Sequence, residues 1–287
     1  MKKTILILSI ITLIFAGCKK DDVFQKGDIF VNGWNSSITD GPVYPDEPAY
    51  PDAYLLKSVL LEDYTGVRCN NCPSAADLAI EIQEQSHHRV IVLNVYAGFL
   101  AQPIGGYPDF TTPEGTEWYS QFGFDSNPIG TVNRRLNGGS YAYSSSEWGD
   151  AVAETLQEAA VVEIIPSVEY NTATRNLNVN ITSKFLAEMP DIYSLTVCIM
   201  EDSIVGKQLT PSGNDENYMH RHVFRGTMNG AWGEEINTTT IAPGDMITNS
   251  YTTTLGTAYN ADRCYIIAYV SDCNTKEILQ VIEKKIK

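Results

Sequence analysis

The sequence predicts a mixed α/β domain followed by an all-β sandwich. Three observations carry this. Up to about residue 160, strand-length apolar runs alternate with helix-period stretches, and beyond it a period of two takes over. Apolar residues make up 43% of the 287, enough to core two units at roughly 150 residues per domain. Only 19% are charged, with 20 basic against 35 acidic and a formal charge of −15. A field of that sign repels phosphate backbones, which argues against nucleic acid as a partner.

Lys2 and Lys3 precede an apolar run, Ile5 to Phe15, broken only by Ser9 and Thr12. The run is too short to span a bilayer and reads as an export signal over residues 1–17. It ends in Phe15-Ala16-Gly17-Cys18, which resembles the bacterial lipobox. That resemblance implies cleavage before Cys18 and acyl chains, palmitate among them, that hold the protein on a membrane. Lys19-Lys20-Asp21-Asp22 is similar to the signal that sends lipoproteins of Bacteroidetes-type bacteria to the outer face of the outer membrane. Residues 18–53 carry Gly41-Pro42 and Pro45-Asp46-Glu47-Pro48 with little periodicity, and read as a tether and linker.

The first domain is expected over residues 54–160. Tyr54 to Tyr64, Arg89 to Tyr96 and Ile129 to Leu136 read as buried strands. Ser74 to Ser86 reads as a helix, with Ala75, Leu78, Ala79 and Ile82 at three- and four-residue spacing. A final helix is predicted from Glu147 to Ala159, opened by Ser144 and Glu147 as a capping box and facing inward through Trp148, Val152 and Leu156. The Gly/Pro-rich segment from Tyr96 to Gly115 reads as a long surface insertion.

Of six cysteines, an acylated Cys18 leaves Cys69, Cys72, Cys198, Cys264 and Cys273, an odd number. Disulfides are permitted outside the cytosol, so Cys69 and Cys72 are candidates for one. Cys69-Asn70-Asn71-Cys72-Pro73 sits between a strand and a helix, where the free N–H groups and dipole of the helix start favour a thiolate at Cys69. Cys69 would then attack and Cys72 resolve, with Arg68 adding positive charge or pointing to solvent. A structural clip and a fold kept only for binding are the competing readings. A metal site is disfavoured because no second CxxC or suitable His pair accompanies the first, and no cofactor is expected.

The stretch Leu61-Glu62-Asp63-Tyr64-Thr65-Gly66-Val67-Arg68-Cys69-Asn70-Asn71-Cys72-Pro73 resembles the active-site segment of the thioredoxin-like superfamily. More narrowly, it resembles that of the twenty-eight-kilodalton outer-membrane lipoprotein family of Bacteroidetes-type bacteria. The resemblance implies catalytic roles for Cys69 and Cys72, a proton-accepting role for Asp63, and a cis-proline at Pro128 beside the sulfurs. Asn70-Asn71 departs from the Gly-Pro pair of thioredoxin itself, so no redox potential carries over.

The second domain is expected over residues 161–287. Leu177, Val179 and Ile181 alternate with polar residues, and Leu195, Val197 and Ile199 alternate with Thr196 and Cys198. Cys264, Ile266, Ala268 and Val270 share one face, and Glu277 to Ile286 reads as a last strand. Six to eight short strands predict a sandwich of immunoglobulin type. The family resemblance extends here through Asn217 to Arg225 and Gly230 to Gly233. His220 and His222 are expected on one strand face, as a packed pair more readily than as metal ligands. The functional expectation is a surface-exposed, lipid-anchored protein. Either it exchanges disulfides with exported protein thiols, or it binds a surface protein or glycan ligand while its CxxC pair is structural.

Overall fold

The computed structural model describes residues 56–287, so the export signal, Cys18 and the tether lie outside the described residues. Strand β1 (Val59–Thr65) and strand β2 (Val90–Tyr96) are buried along their full lengths. They pair in parallel, Val59 opposite Val90 and Thr65 opposite Tyr96, and such doubly covered strands read as unbroken apolar runs. Helix α1 (Cys72–Gln85) links them and buries Ala75, Ala79 and Ile82. Helix α2 (Pro113–Gln121) starts at Thr112, whose hydroxyl accepts from the Gly115 N–H, and it carries Trp118 inward.

Strand β3 (Ile129–Val132) runs antiparallel to β1. It stops four residues short of the predicted Leu136 because Asn133 and Arg134 take left-handed φ values of 47° and 52°. That turn aims Asn133 Oδ1 at the Leu60 N–H and brings Arg134 onto Glu62. The predicted capping box forms between Ser144 and Glu147 and opens a 3-10 turn ahead of α3 (Trp148–Thr155).

Ten strands follow: β4 (Val162–Tyr170), β5 (Asn176–Phe185), β6 (Tyr193–Glu201), β7 (Ile204–Thr210), β8 (Gly213–His220), β9 (Val223–Thr227), β10 (Glu234–Glu235), β11 (Met246–Thr254), β12 (Cys264–Asp272) and β13 (Ile278–Lys285). Their arrangement corrects the expected fold class, a thioredoxin-like α/β domain followed by an immunoglobulin-like sandwich. The protein is mostly β, built on one mixed sheet in the order β13-β12-β6-β9-β2-β1-β3, with β10 added beside β6. Strand β9 joins the two halves, antiparallel to β6 and parallel to β2 where Asn94 meets Val223. The chain past residue 160 therefore completes the sheet of the chain before it.

The cores explain the misreading. On one face, Leu60, Ile91, Leu93 and Val95 pack with Trp118, Phe224, Ile267 and Tyr269, so both halves share one cluster. The opposite face is covered by α1 and α3 at one end and by the three-stranded sheet β11-β5-β4 at the other. Alternation in β6 and β12 shows which residues share a face but not what covers each face. Both faces are in fact covered, and all nine residues of β6 are buried.

Candidate functional site

Cys69 and Cys72 form a disulfide, with Cα atoms 5.4 Å apart, at the start of α1. The loop leading to it depends on Gly66, where a Cβ would sit 2.6 Å from the Leu100 carbonyl carbon. Arg68, left open by the sequence between a charge beside the sulfurs and a side chain in solvent, has its guanidinium engaged by the chain. Its guanidinium donates to the carbonyls of Gln102 and Phe99 and lies 4.7 Å from the Phe99 ring centroid, stapling the 99–102 turn.

Both cysteines are 2% exposed. The β7–β8 hairpin covers them: Gln208 Nε2 donates to Cys69 O at 3.0 Å and to Gly66 O at 3.2 Å, and the Leu209 N–H donates to Val67 O at 2.9 Å. Tyr96 and His220 Nδ1 hydrogen-bond at 2.7 Å, tying the far end of the hairpin to β2. What remains between Cys72, Asn94, Gln208, Tyr218 and Arg221 is a cavity of about 10 Å³, room for one water at most.

Asp63 lies on β1 with no hydrogen-bond partner for either carboxyl oxygen, and burial pushes its pKa up to about 8. Its neighbours in register are Asn94 on β2 and Gly130 on β3. The Asn127–Pro128 peptide is cis. Because Ile129 pairs with Tyr64, Pro128 sits at the end of β1 from which the Cys69 loop departs. Cys198 and Cys264 are buried free thiols and Cys273 is half-buried and free, which settles the odd count left open by the sequence.

His220 and His222 do not share a strand face. His220 ends β8, whereas His222 takes a left-handed φ of 49° in the link to β9. Burial lowers both to about 4, so both imidazoles are neutral near pH 7. Among the described residues no group of three or more His, Cys, Asp or Glu is placed to hold a metal ion.

A second, larger concavity of about 360 Å³ was not anticipated from sequence. It lies between the N-terminus of α2 and β9, lined by Asp109, Glu114, Arg225, Thr227 and Tyr259 among others. The Arg225 guanidinium stands 4.3 Å from the Tyr259 ring centroid and 3.5 Å from Glu201, and the Thr227 hydroxyl donates to Glu114. Its volume falls in the range of small-ligand sites and its lining is polar. The sequence signal was slight, since these residues come from three distant segments.

A profile of the family described as Outer membrane protein Omp28 matches residues 116–287. The chain belongs to the Omp28 family. Membership gives it an outer-membrane location, and the expected family resemblance holds. The match begins after the Cys69–Cys72 segment, so that segment stands outside it. HBP35 of Porphyromonas gingivalis is similar in structure, with a TM-score of 0.61 at 17% identity over 81% of this chain and 76% of that one, a likeness of fold alone. A domain of the outer membrane lipoprotein Omp28 from Porphyromonas gingivalis is 25% identical over 45% of this chain and 89% of that one, with a TM-score of 0.28. Protein AGR_C_4864 from Agrobacterium tumefaciens gives a TM-score of 0.48 at 12% identity over 80% of this chain and 94% of that one. No curated protein matches the chain. Among the described residues no helix is long and apolar enough to cross a membrane.

Proposed function

We propose that this Omp28-family protein is a lipid-anchored binding protein of the outer-membrane surface, in which Cys69–Cys72 is a structural disulfide. The anchor is acylated Cys18, and Lys19 to Asp22 direct the chain outward. The observation that carries this reading is the cover over the disulfide: the sulfurs lie beneath a hydrogen-bonded hairpin, beside a space too small for a substrate chain. The cleft between α2 and β9 is the ligand site. Its carboxylates, hydroxyls and Arg225 suit a hydroxyl-rich ligand such as a glycan, or polar side chains of a surface protein.

A second reading, thiol–disulfide exchange on exported proteins with Cys69 as nucleophile, Cys72 as resolver and Pro128 shaping the groove, draws on Asp63. A buried carboxyl that holds its proton near neutral pH, on the strand that leads into the disulfide loop, is the acid–base group such exchange requires. The reduction potential of the full chain in defined glutathione buffers separates the two. A value below about −300 mV without exchange activity supports the structural disulfide, whereas a value between about −120 and −270 mV, with activity lost in Cys69→Ser, supports exchange.

A further inference from the structure

The unpaired edge of a sheet offers backbone donors and acceptors to any strand that meets it, and folds usually blunt such edges. Most edges here are blunted. Strand β3 is four residues long, and its Gly130 exchanges backbone hydrogen bonds with Tyr143. Strand β4 has Pro166 at its centre, flanked by Glu163 and Glu169. Strand β13 ends in Glu283-Lys284-Lys285. The β7–β8 hairpin has a register shift and the charged residues Lys207, Asp215 and Glu216.

Strand β11 has none of these devices. Its register with β5 runs unbroken from Met246–Lys184 to Thr254–Asn176, and it contains no Pro, Gly or charge. Residues 246–260 include no charged side chain, in a chain of net charge −15. The Phe185 N–H donates to Asp245 O and the Leu255 N–H to Arg175 O. Since hydrogen-bonded pairs alternate along an antiparallel ladder, the backbone groups of residues 246, 248, 250, 252 and 254 point away from β5. Among the described residues no strand takes them up.

We propose that β11 is the seam of a homodimer, in which two copies pair antiparallel, edge to edge, about a twofold axis at Ser250. The two three-stranded sheets become one of six strands. Ser250 then faces Ser250 of the second copy, and Thr248 faces Thr252 of the second copy. The same hydroxyl pairing already joins Thr182 and Thr248 at 2.8 Å within the chain. The inner face brings together Ile247 and Tyr251, both half-buried and packed at the margin of the core. A second copy is the occupant because two strongly acidic chains repel wherever charge meets charge, and β11 carries no charged side chain of its own, the nearby Glu234 being held by the Tyr251 hydroxyl. Pro166 and the glutamates of β4 stop further addition, so the assembly closes as a dimer. This inference does not rest on the ligand-binding reading.

The test is cross-linking of the full chain in its own outer membranes. In Ser250→Cys the two residues at the axis have Cα atoms about 5.5 Å apart, within disulfide reach. Asn178→Cys, on the same face of β5, is the control, because its two copies stand three strand spacings apart across the sheet and four residues apart along it, about 20 Å. Under mild oxidation, Ser250→Cys should give at least tenfold more disulfide-linked dimer than Asn178→Cys or the parent chain. Adding Thr252→Pro removes an N–H that β5 does not use, together with the Thr252 hydroxyl bond to Asn178, and should return linkage to the control level in a chain that keeps its native circular-dichroism spectrum. Linkage no greater than in Asn178→Cys, or linkage unmoved by Thr252→Pro in the folded chain, overturns the proposal. Should Thr252→Pro fail to fold, the comparison of Ser250→Cys with Asn178→Cys decides alone.

Discussion

The side-chain amide of Gln208 donates to the backbone carbonyl of Cys69 at 3.0 Å, joining a hairpin in the second half of the chain to the disulfide loop of the first. Both residues are buried, and the same nitrogen also reaches Gly66 O. Gln208→Ala should loosen this cover. Losing hydrogen bonds worth about 1 to 1.5 kcal/mol should raise the rate of disulfide reduction by dithiothreitol about tenfold, read by alkylation and mass spectrometry. A rate equal to the parent's would mean that the hairpin does not control access to the sulfurs.

Glu62 and Arg134 form a fully buried ion pair, Nη2 to Oε1 at 2.6 Å, with Trp118 and Tyr269 rings around the guanidinium. Glu62→Gln strands a buried cation and should cost about 3 to 5 kcal/mol. In a domain of this size that lowers the melting temperature by about 10 °C, measurable by circular dichroism. Glu62→Met with Arg134→Leu should recover part of the loss, since no unpaired charge remains.

The pH dependence of stability follows from buried Asp63, His220 and His222 and from half-buried Glu283. Asp63 at about 8 and Glu283 at about 7 lie above their ordinary carboxyl values, so the folded chain keeps protons the unfolded chain has released. Their contribution is fully present in acid and is lost as pH rises toward 8. His220 and His222 at about 4 lie below 6.5, so theirs is present above 6.5 and lost as pH falls toward 4. The melting temperature should therefore fall between pH 6.5 and 8.5. Asp63→Asn should be the more stable chain at pH 8.5, with a shallower slope, and an unchanged slope would contradict the buried-carboxyl account.

Gly66 allows the Leu100 backbone to approach where a Cβ would come within 2.6 Å of the carbonyl carbon. Backbone cannot swing aside as a side chain does. Gly66→Ala should displace the 99–102 turn, break the Arg68 N–H bond to Leu100 O, and cost about 1 to 3 kcal/mol. Limited proteolysis should then cut in the Tyr96–Gly115 segment faster than it does in the parent chain.

Much of the local structure was legible in sequence. The buried runs at β1 and β2, the helix after Cys72, the Ser144–Glu147 box and the alternation of β5 all stand close to where they were read, because each follows from periodicity or capping within a few residues. The end of β3 was missed because nothing in Asn133-Arg134 announces a left-handed turn that Glu62 and Leu60 hold in place. Of the candidate site, the disulfide pair was readable as a motif; its cover was not.

What the sequence determined by itself was many of the local elements, the Cys69-x-x-Cys72 motif and the acidic character of the chain. Tertiary structure alone decided that the halves share a sheet through β9, that Gln208 seals the disulfide, and that β11 is left with an open edge. The reason is physical. A hydrophobic period tells which face of a strand is buried, a property of its own residues, but which surface buries it depends on segments more than a hundred residues away.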